Sequence, residues 1–276
     1  MPNEVIIQQA TSRPHRDDGL LLERQYMPYQ LDEGIGYRAR IGLIVLATDQ
    51  TIEYEFRRML ALPGVALYES RLANAPTITP ETLRAMEHDI PRATALLLPD
   101  LPLDVVAYAC TSGAMVIGDD KVRTGIWLVR PDVAWTTPMV AAFAAFRALA
   151  ARRICLIAPY ADAINRAMRR AAQEAGFEVP VMGSWNLAED TKVARIAPST
   201  IRQAILELGR SDAVDTVFVA CTSLRVADDV EALEQELGKP VTSSNHALAW
   251  HCLRLAGYGD LVPGFGRLFA RPLPGV

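Results

Sequence analysis

Two stretches decide the fold: VVAYACTSG at Val105–Gly113 and VFVACTSLR at Val217–Arg225. Each is a short apolar run ending in the same tetrad, Ala-Cys-Thr-Ser, after which the chain turns small and polar. A continuous apolar run of this length reads as a strand buried on both faces, which is the signature of a parallel sheet covered by helices. Outward from these two, similar runs occur at Ile41–Leu46, Val65–Ser70, Arg153–Pro159 and Val179–Ser184. Between them lie amphipathic stretches over Thr79–Ala95, Thr137–Ala150 and Ala161–Gly176, the last closed by a glycine in the position of a helix C-cap.

The pieces repeat in order. Ile41 and Ile154, which open matching strands, are 113 positions apart, and Cys110 and Cys221 are 111 apart. That spacing predicts an internal duplication, an α/β protein of two parallel-sheet halves related by a pseudo-two-fold axis. A half of roughly 110 residues is domain-sized. Open parallel sheets bind ligands beyond the carboxyl ends of their strands, so both cysteine tetrads fall where a site belongs, and symmetric pairing of the halves would make the two sites one. The alternative is a single doubly wound sheet whose strands look alike because all buried strands do.

Composition narrows the function classes. The chain has 276 residues, half of them hydrophobic and 22% charged, which suits a globular protein with a substantial core. A formal net charge of −4 provides no basic field for nucleic acid. No apolar run approaches the roughly 20 residues of a membrane span, and the first residues are polar where a signal peptide would be apolar, so a cytoplasmic protein is expected. Four cysteines without CxxC spacing make neither a disulfide framework nor a zinc site, and reduced thiols are expected. No phosphate-binding glycine loop opens a helix, so no nucleotide cofactor is expected, and no metal. Residues 1–40, with Pro14, Pro28, Gly34 and Gly36, read as an N-terminal arm.

The chemistry rests on the paired cysteines. If a helix begins just after each, its free N–H groups and positive end lower the thiol pKa, and together with Thr111, Ser112, Thr222 and Ser223 they form a cradle for a carboxylate. The competing reading makes the Thr-Ser pairs helix caps and the cysteines small buried hydrophobes. Two thiols facing one carbon support two reactions. One thiolate can remove an α-proton while the other thiol protonates the opposite face, which is racemisation. Alternatively, a thiolate adds to an electron-poor double bond, the new single bond rotates, and elimination yields the other geometric isomer. Cys155, inside an apolar strand, and Cys252, in the helical stretch His246–Ala256, read as structural. His15, His88, His246 and His251 show no metal-binding spacing.

The segments ACTSG (Ala109–Gly113), ACTSLR (Ala220–Arg225) and GKPVTSSNHALAWHCLRLAG (Gly238–Gly257) resemble the aspartate/glutamate racemase superfamily, and within it the maleate cis–trans isomerase branch with its ectoine-utilisation relatives. The resemblance covers about residues 38–260. It implies two flavodoxin-like domains, 41–136 plus 245–276 and 137–244, with His246–Ala256 returning to the first. It further implies cofactor independence, a homodimer or homotetramer, Cys110 as nucleophile, Cys221 as acid–base partner, and Tyr160 as a hydrogen-bond donor to a substrate carboxylate. Where these isomerases carry substrate-binding asparagines, this sequence has Asp49 and, near the second position, Asp190, with Asn186 and Thr191 close by. An ionised aspartate accepts but does not donate, so the substrate expected from these positions is an amino acid or derivative whose ammonium meets Asp49. Otherwise Asp49 simply caps the following helix. A non-catalytic carboxylate-binding module and a Cys110–Cys221 redox switch are the remaining alternatives.

Overall fold

The computed structural model describes residues 24–274 and the backbone of Val5 and Ile6. The described residues form two four-stranded, all-parallel sheets. The first contains β1 (Ala39–Leu46), β2 (Val65–Leu72), β3 (Val105–Ala109) and β4 (Ala134–Thr136). The second contains β5 (Arg153–Ala158), β6 (Glu178–Ser184), β7 (Thr216–Val219) and β8 (Val241–Ser243). The spatial orders are β2-β1-β3-β4 and β6-β5-β7-β8, the same winding in each sheet, as the duplication predicts. In chain order the helices are α1 (Ile52–Met59), α2 (Pro80–Ala85), α3 (Ile90–Ala95), α4 (Thr111–Ile117), α5 (Asp119–Trp127), α6 (Pro138–Ala148), α7 (Asp162–Glu174), α8 (Asp190–Val193), α9 (Pro198–Gly209), α10 (Val230–Leu237) and α11 (Ser244–Leu255).

Strand alternation aims the first cysteine. On β3, Val105, Ala107 and Ala109 face a core built with α1 and α11, whereas Val106 and Tyr108 face a second core shared with the other sheet. Cys110 continues the second set and so points between the halves. That shared core holds Ile44 and Tyr108 from one sheet with Leu156 and Phe218 from the other. In α11 every residue from Ser244 to Arg254 is buried, and the helix packs against α6, α1 and β3. Trp250 donates its indole N–H to the Arg271 carbonyl at 2.9 Å, holding down the C-terminal segment.

Three sequence expectations change. The stretch Thr79–Ala95 is not one helix. It divides into α2, a 3-10 turn at Met86–Asp89 and α3, because Pro91 has no N–H to continue the ladder and its ring crowds the preceding turn. Strands β4 and β8, three residues each, are too short to show an apolar period. Of the arm, 24–38 are mostly exposed and β1 begins at Ala39; His15 lies outside the described residues. The glycine expected to close Ala161–Gly176 does so: Gly176 has φ +93° and Phe177 N–H bonds back to the Ala172 carbonyl.

Candidate active site

Cys110 is the N-cap of α4. Its Sγ accepts the Gly113 backbone N–H at 3.2 Å and lies 3.9 Å from the Ser112 hydroxyl. Gly113 makes this fit possible: a Cβ there would sit 2.8 Å from the Cys110 sulfur and 2.8 Å from the Tyr108 hydroxyl.

The second tetrad ends differently. Cys221 is followed by a turn and no helix; the next helical residues are a short 3-10 segment at Ala227–Asp229. The backbone groups a helix would use are committed elsewhere. The Ser223 carbonyl accepts from Thr51 Oγ1 at 3.0 Å, and the Thr222 carbonyl from Asn245 Nδ2 at 2.8 Å. The condition of a helix just after each cysteine is therefore met at Cys110 alone.

The expectation of thiols lowered by helix ends is also overturned. Burial pushes Cys110 up to about 12, outweighing the Gly113 N–H and the Ser112 hydroxyl, with Asp190 and Asp49 adding to the rise. Cys221 is raised well above the ordinary thiol range by burial and then by Asp190. All four cysteines are free, and Cys155 and Cys252 are buried in β5 and α11.

Tyr160 lines the same cavity as the two thiols. It is buried, with the Cys221 thiol and the Ser112 hydroxyl near its own hydroxyl. Its carbonyl is fixed by Asn165 Nδ2 at 2.5 Å and by the Ser184 hydroxyl at 2.9 Å, so α7 and β6 both set its place. Cys110, Ser112, Tyr160, Asp190, Cys221 and Thr222 line one cavity. Its other wall comes from Leu46 and from Asn74 to Met86, a strap that bonds across to the second half through Ile78 N–H and the Ala188 carbonyl at 3.0 Å. The cavity holds about 20 Å³, room for one water.

The remaining sequence-selected residues stand behind this lining. Thr111 donates to Ser244 Oγ at 2.8 Å, and Ser223 donates to Asp190 Oδ1 at 2.7 Å. Asp49 Oδ1 accepts the N–H groups of Thr51 and Ile52 at 2.7 and 2.9 Å, so its carboxyl holds the turn that leads into α1 and is not among the residues lining the cavity. Burial raises Asp49 to about 6 against those hydrogen bonds. Asp190 lines the cavity and accepts Thr48 Oγ1 at 2.8 Å through its other oxygen. Among the histidines, His246 lies between Thr242 Oγ1 and the Phe265 carbonyl, and His251 Nδ1 meets Thr136 Oγ1; burial lowers both to about 4.

Three positioning groups escaped sequence reasoning. Ser244 Oγ accepts from Thr111 of one tetrad and from the Cys221 N–H of the other at 3.1 Å, so one hydroxyl joins both cysteine turns. The Ser-Ser-Asn run at the start of a wholly buried helix was the available signal. Asn74 donates to Thr48 Oγ1 at 2.8 Å. Glu55 of α1 reaches across to the second half, taking the Val226 and Ala227 N–H groups on Oε1 and Asn245 Nδ2 on Oε2.

Burial raises Glu55 to about 7 from 4.5, more than the Ala227, Asn245 and Val226 hydrogen bonds lower it. The folded state thus keeps a proton that the unfolded chain has released. The resulting stability is full below the unfolded value and is lost as pH rises through about 7. Between pH 5 and pH 8, chemical denaturation should show wild type losing up to about 3 kcal/mol relative to Glu55→Gln, at roughly 1.4 kcal/mol per pH unit. Parallel stability profiles for the two proteins would remove Glu55 from this role.

Two parallel sheets of one winding, each delivering a cysteine from an Ala-Cys-Thr-Ser tetrad to a single cavity, define an enzyme of the aspartate/glutamate racemase-like superfamily. Within it the chain belongs to the arylmalonate decarboxylase (Amdase) family, whose model matches residues 129–269. A maleate isomerase of Nocardia farcinica is 29% identical over 238 residues, spanning 83% of this chain and 94% of its own length. The crystal structure of a cysteine-to-alanine form of the maleate isomerase Iso from Pseudomonas putida with maleate superposes with a TM-score of 0.77 at 25% identity, covering 84% of this chain and 98% of that one. A cysteine-to-serine mutant of the Nocardia farcinica maleate cis–trans isomerase, holding a covalently bound succinylcysteine intermediate, superposes with a TM-score of 0.75 at 28% identity over 84% of this chain and 98% of that one.

Proposed function

We propose that this protein is a cofactor-independent cis–trans isomerase of the maleate isomerase type, acting through Cys110 and Cys221 on a small unsaturated carboxylate. The observation that carries the reading is the meeting of both cysteines, Tyr160 and Ser112 in one cavity. The covalent succinylcysteine in the Nocardia farcinica relative supports it.

The roles follow from the environments. Cys110 accepts a backbone N–H at its sulfur, which stabilises the thiolate; Asp190 opposes charge on both sulfurs, and at Cys221 it ranks directly after burial, which favours the neutral thiol there. In the reacting state Cys110 is the thiolate and Cys221 the thiol. Cys110 Sγ adds to one carbon of the cis double bond, forming a C–S bond. The adjacent carbon takes the Cys221 proton, leaving a thioether on Cys110 and a thiolate on Cys221. Rotation about the new single bond follows, Cys221 takes the proton back, and the C–S bond breaks as the trans double bond forms. Tyr160, whose buried hydroxyl stays protonated at neutral pH, supplies a hydrogen bond to the carboxylate on which charge develops, with the Ser112 and Thr222 hydroxyls beside it. Neither step draws on an external oxidant or group donor.

Proton NMR of the purified protein with maleate tests the reading: the cis olefinic signal should give way to that of the trans isomer. Absence of turnover of any cis-enoic acid would overturn it.

A further inference from the structure

We propose that the site prefers a monoanionic cis-enoic acid whose far end is an uncharged hydrogen-bond donor, of the half-amide class, over the dianionic diacid. The inference rests on the isomerase reading and concerns which substrate that site takes.

Charge in the lining carries it. Among the described residues around the cavity there is no arginine, lysine or histidine, and one carboxyl, Asp190. The hydrogen-bond order makes Asp190 an acceptor on both oxygens. Asn74 Nδ2 donates to Thr48 Oγ1, so the Thr48 proton goes to Asp190 Oδ2; Ser223 Oγ donates to Oδ1. What Asp190 offers a ligand is lone pairs. A second carboxyl stands close behind: Asp49 is buried beside the Thr222 hydroxyl. Both carboxyls oppose negative charge on both sulfurs.

Ser112, Tyr160 and Thr222 line the cavity with hydroxyls, a donor set sized for one carboxylate. A diacid would bring a second carboxylate toward Asp190 while Cys110 carries its own charge, with no cation to offset three negative groups in a buried space. An amide at that end donates its N–H to Asp190, remains conjugated to the double bond and so still activates it for thiolate addition. The covalent step is the one described above, with the amide carbonyl in place of the second carboxylate.

The test compares kcat/KM for maleate and its half-amide, followed by NMR at pH 8, in wild type and Asp190→Asn. Wild type should favour the half-amide by at least about tenfold, and Asp190→Asn should move the ratio at least about tenfold toward maleate, mainly through KM. Equal or better use of maleate by wild type overturns the inference even if both acids are isomerised. So does an unchanged ratio in Asp190→Asn. If neither acid is isomerised, the isomerase reading falls, and calorimetric binding to Cys110→Ala decides the inference separately. Tighter binding of the half-amide supports it; equal or weaker binding overturns it.

Discussion

Cys221→Ser, mixed with an accepted cis-enoic acid, should stall part-way, with one substrate mass added to Cys110 and turnover lowered by about 10²- to 10⁴-fold, the usual contribution of a placed acid–base group. Cys110→Ala should show neither adduct nor turnover, since among the described residues no other thiol lines the cavity from the first half. The two outcomes differ because the thiols sit in different surroundings. The Cys110 sulfur receives the Gly113 N–H at 3.2 Å, so its thiolate has a fixed donor, whereas at Cys221 the field of Asp190, which reaches both sulfurs, ranks directly after burial. Intact-mass and peptide mapping after a brief incubation would locate the adduct. An adduct on Cys221 would exchange the assigned roles, and full activity in either variant would sink the paired mechanism.

Gly113→Ala should cost about 100-fold in kcat with KM little altered. The new methyl would sit 2.8 Å from the Cys110 sulfur, 2.8 Å from the Tyr108 hydroxyl and 3.0 Å from the Met86 methyl. Met86 has a flexible end that can yield; Tyr108 is a rigid ring, fully buried. The sulfur must therefore swing away from its hydrogen bond, and a displacement near 1 Å at a reacting atom costs roughly that factor. The proposed hydroxyl donors Ser112, Tyr160 and Thr222 are not among the three atoms nearest the new methyl, which is why binding should persist. A Gly113→Ala enzyme with wild-type kcat would show that the sulfur is not held by that close approach.

The parts of this protein legible in its sequence were those written in local pattern. Buried strands announced themselves as apolar runs, the repeat of Ala-Cys-Thr-Ser revealed the duplicated winding, and Cys110, Ser112, Tyr160, Asp190, Cys221 and Thr222 all reach the cavity. What escaped was set by contacts between distant segments. Glu55 and Asn245 are 190 positions apart, and nothing near either announces their hydrogen bond. The helix expected after Cys221 fails for a similar reason. Thr-Ser-Leu-Arg has no local objection to helix, but Thr51 and Asn245 claim its carbonyls from elsewhere in the chain. Asp49 was open to two readings in the sequence, a substrate contact or a helix start, and its carboxyl takes the Thr51 and Ile52 N–H groups that lead into α1. The thiols show the limit of a dipole argument taken without burial. A helix end does reach Cys110, yet desolvation outweighs it.

Ser244 has a consequence for the order in which the protein is made. The hydroxyl that joins the two cysteine turns is added to the growing chain 133 residues after Thr111 and 23 residues after Cys221. On a ribosome, both thiols are synthesised before the group that sets them against each other exists. A nascent chain therefore carries the cysteines without their shared anchor, and the competent pair is assembled only after α11 has been synthesised and has docked on the first sheet.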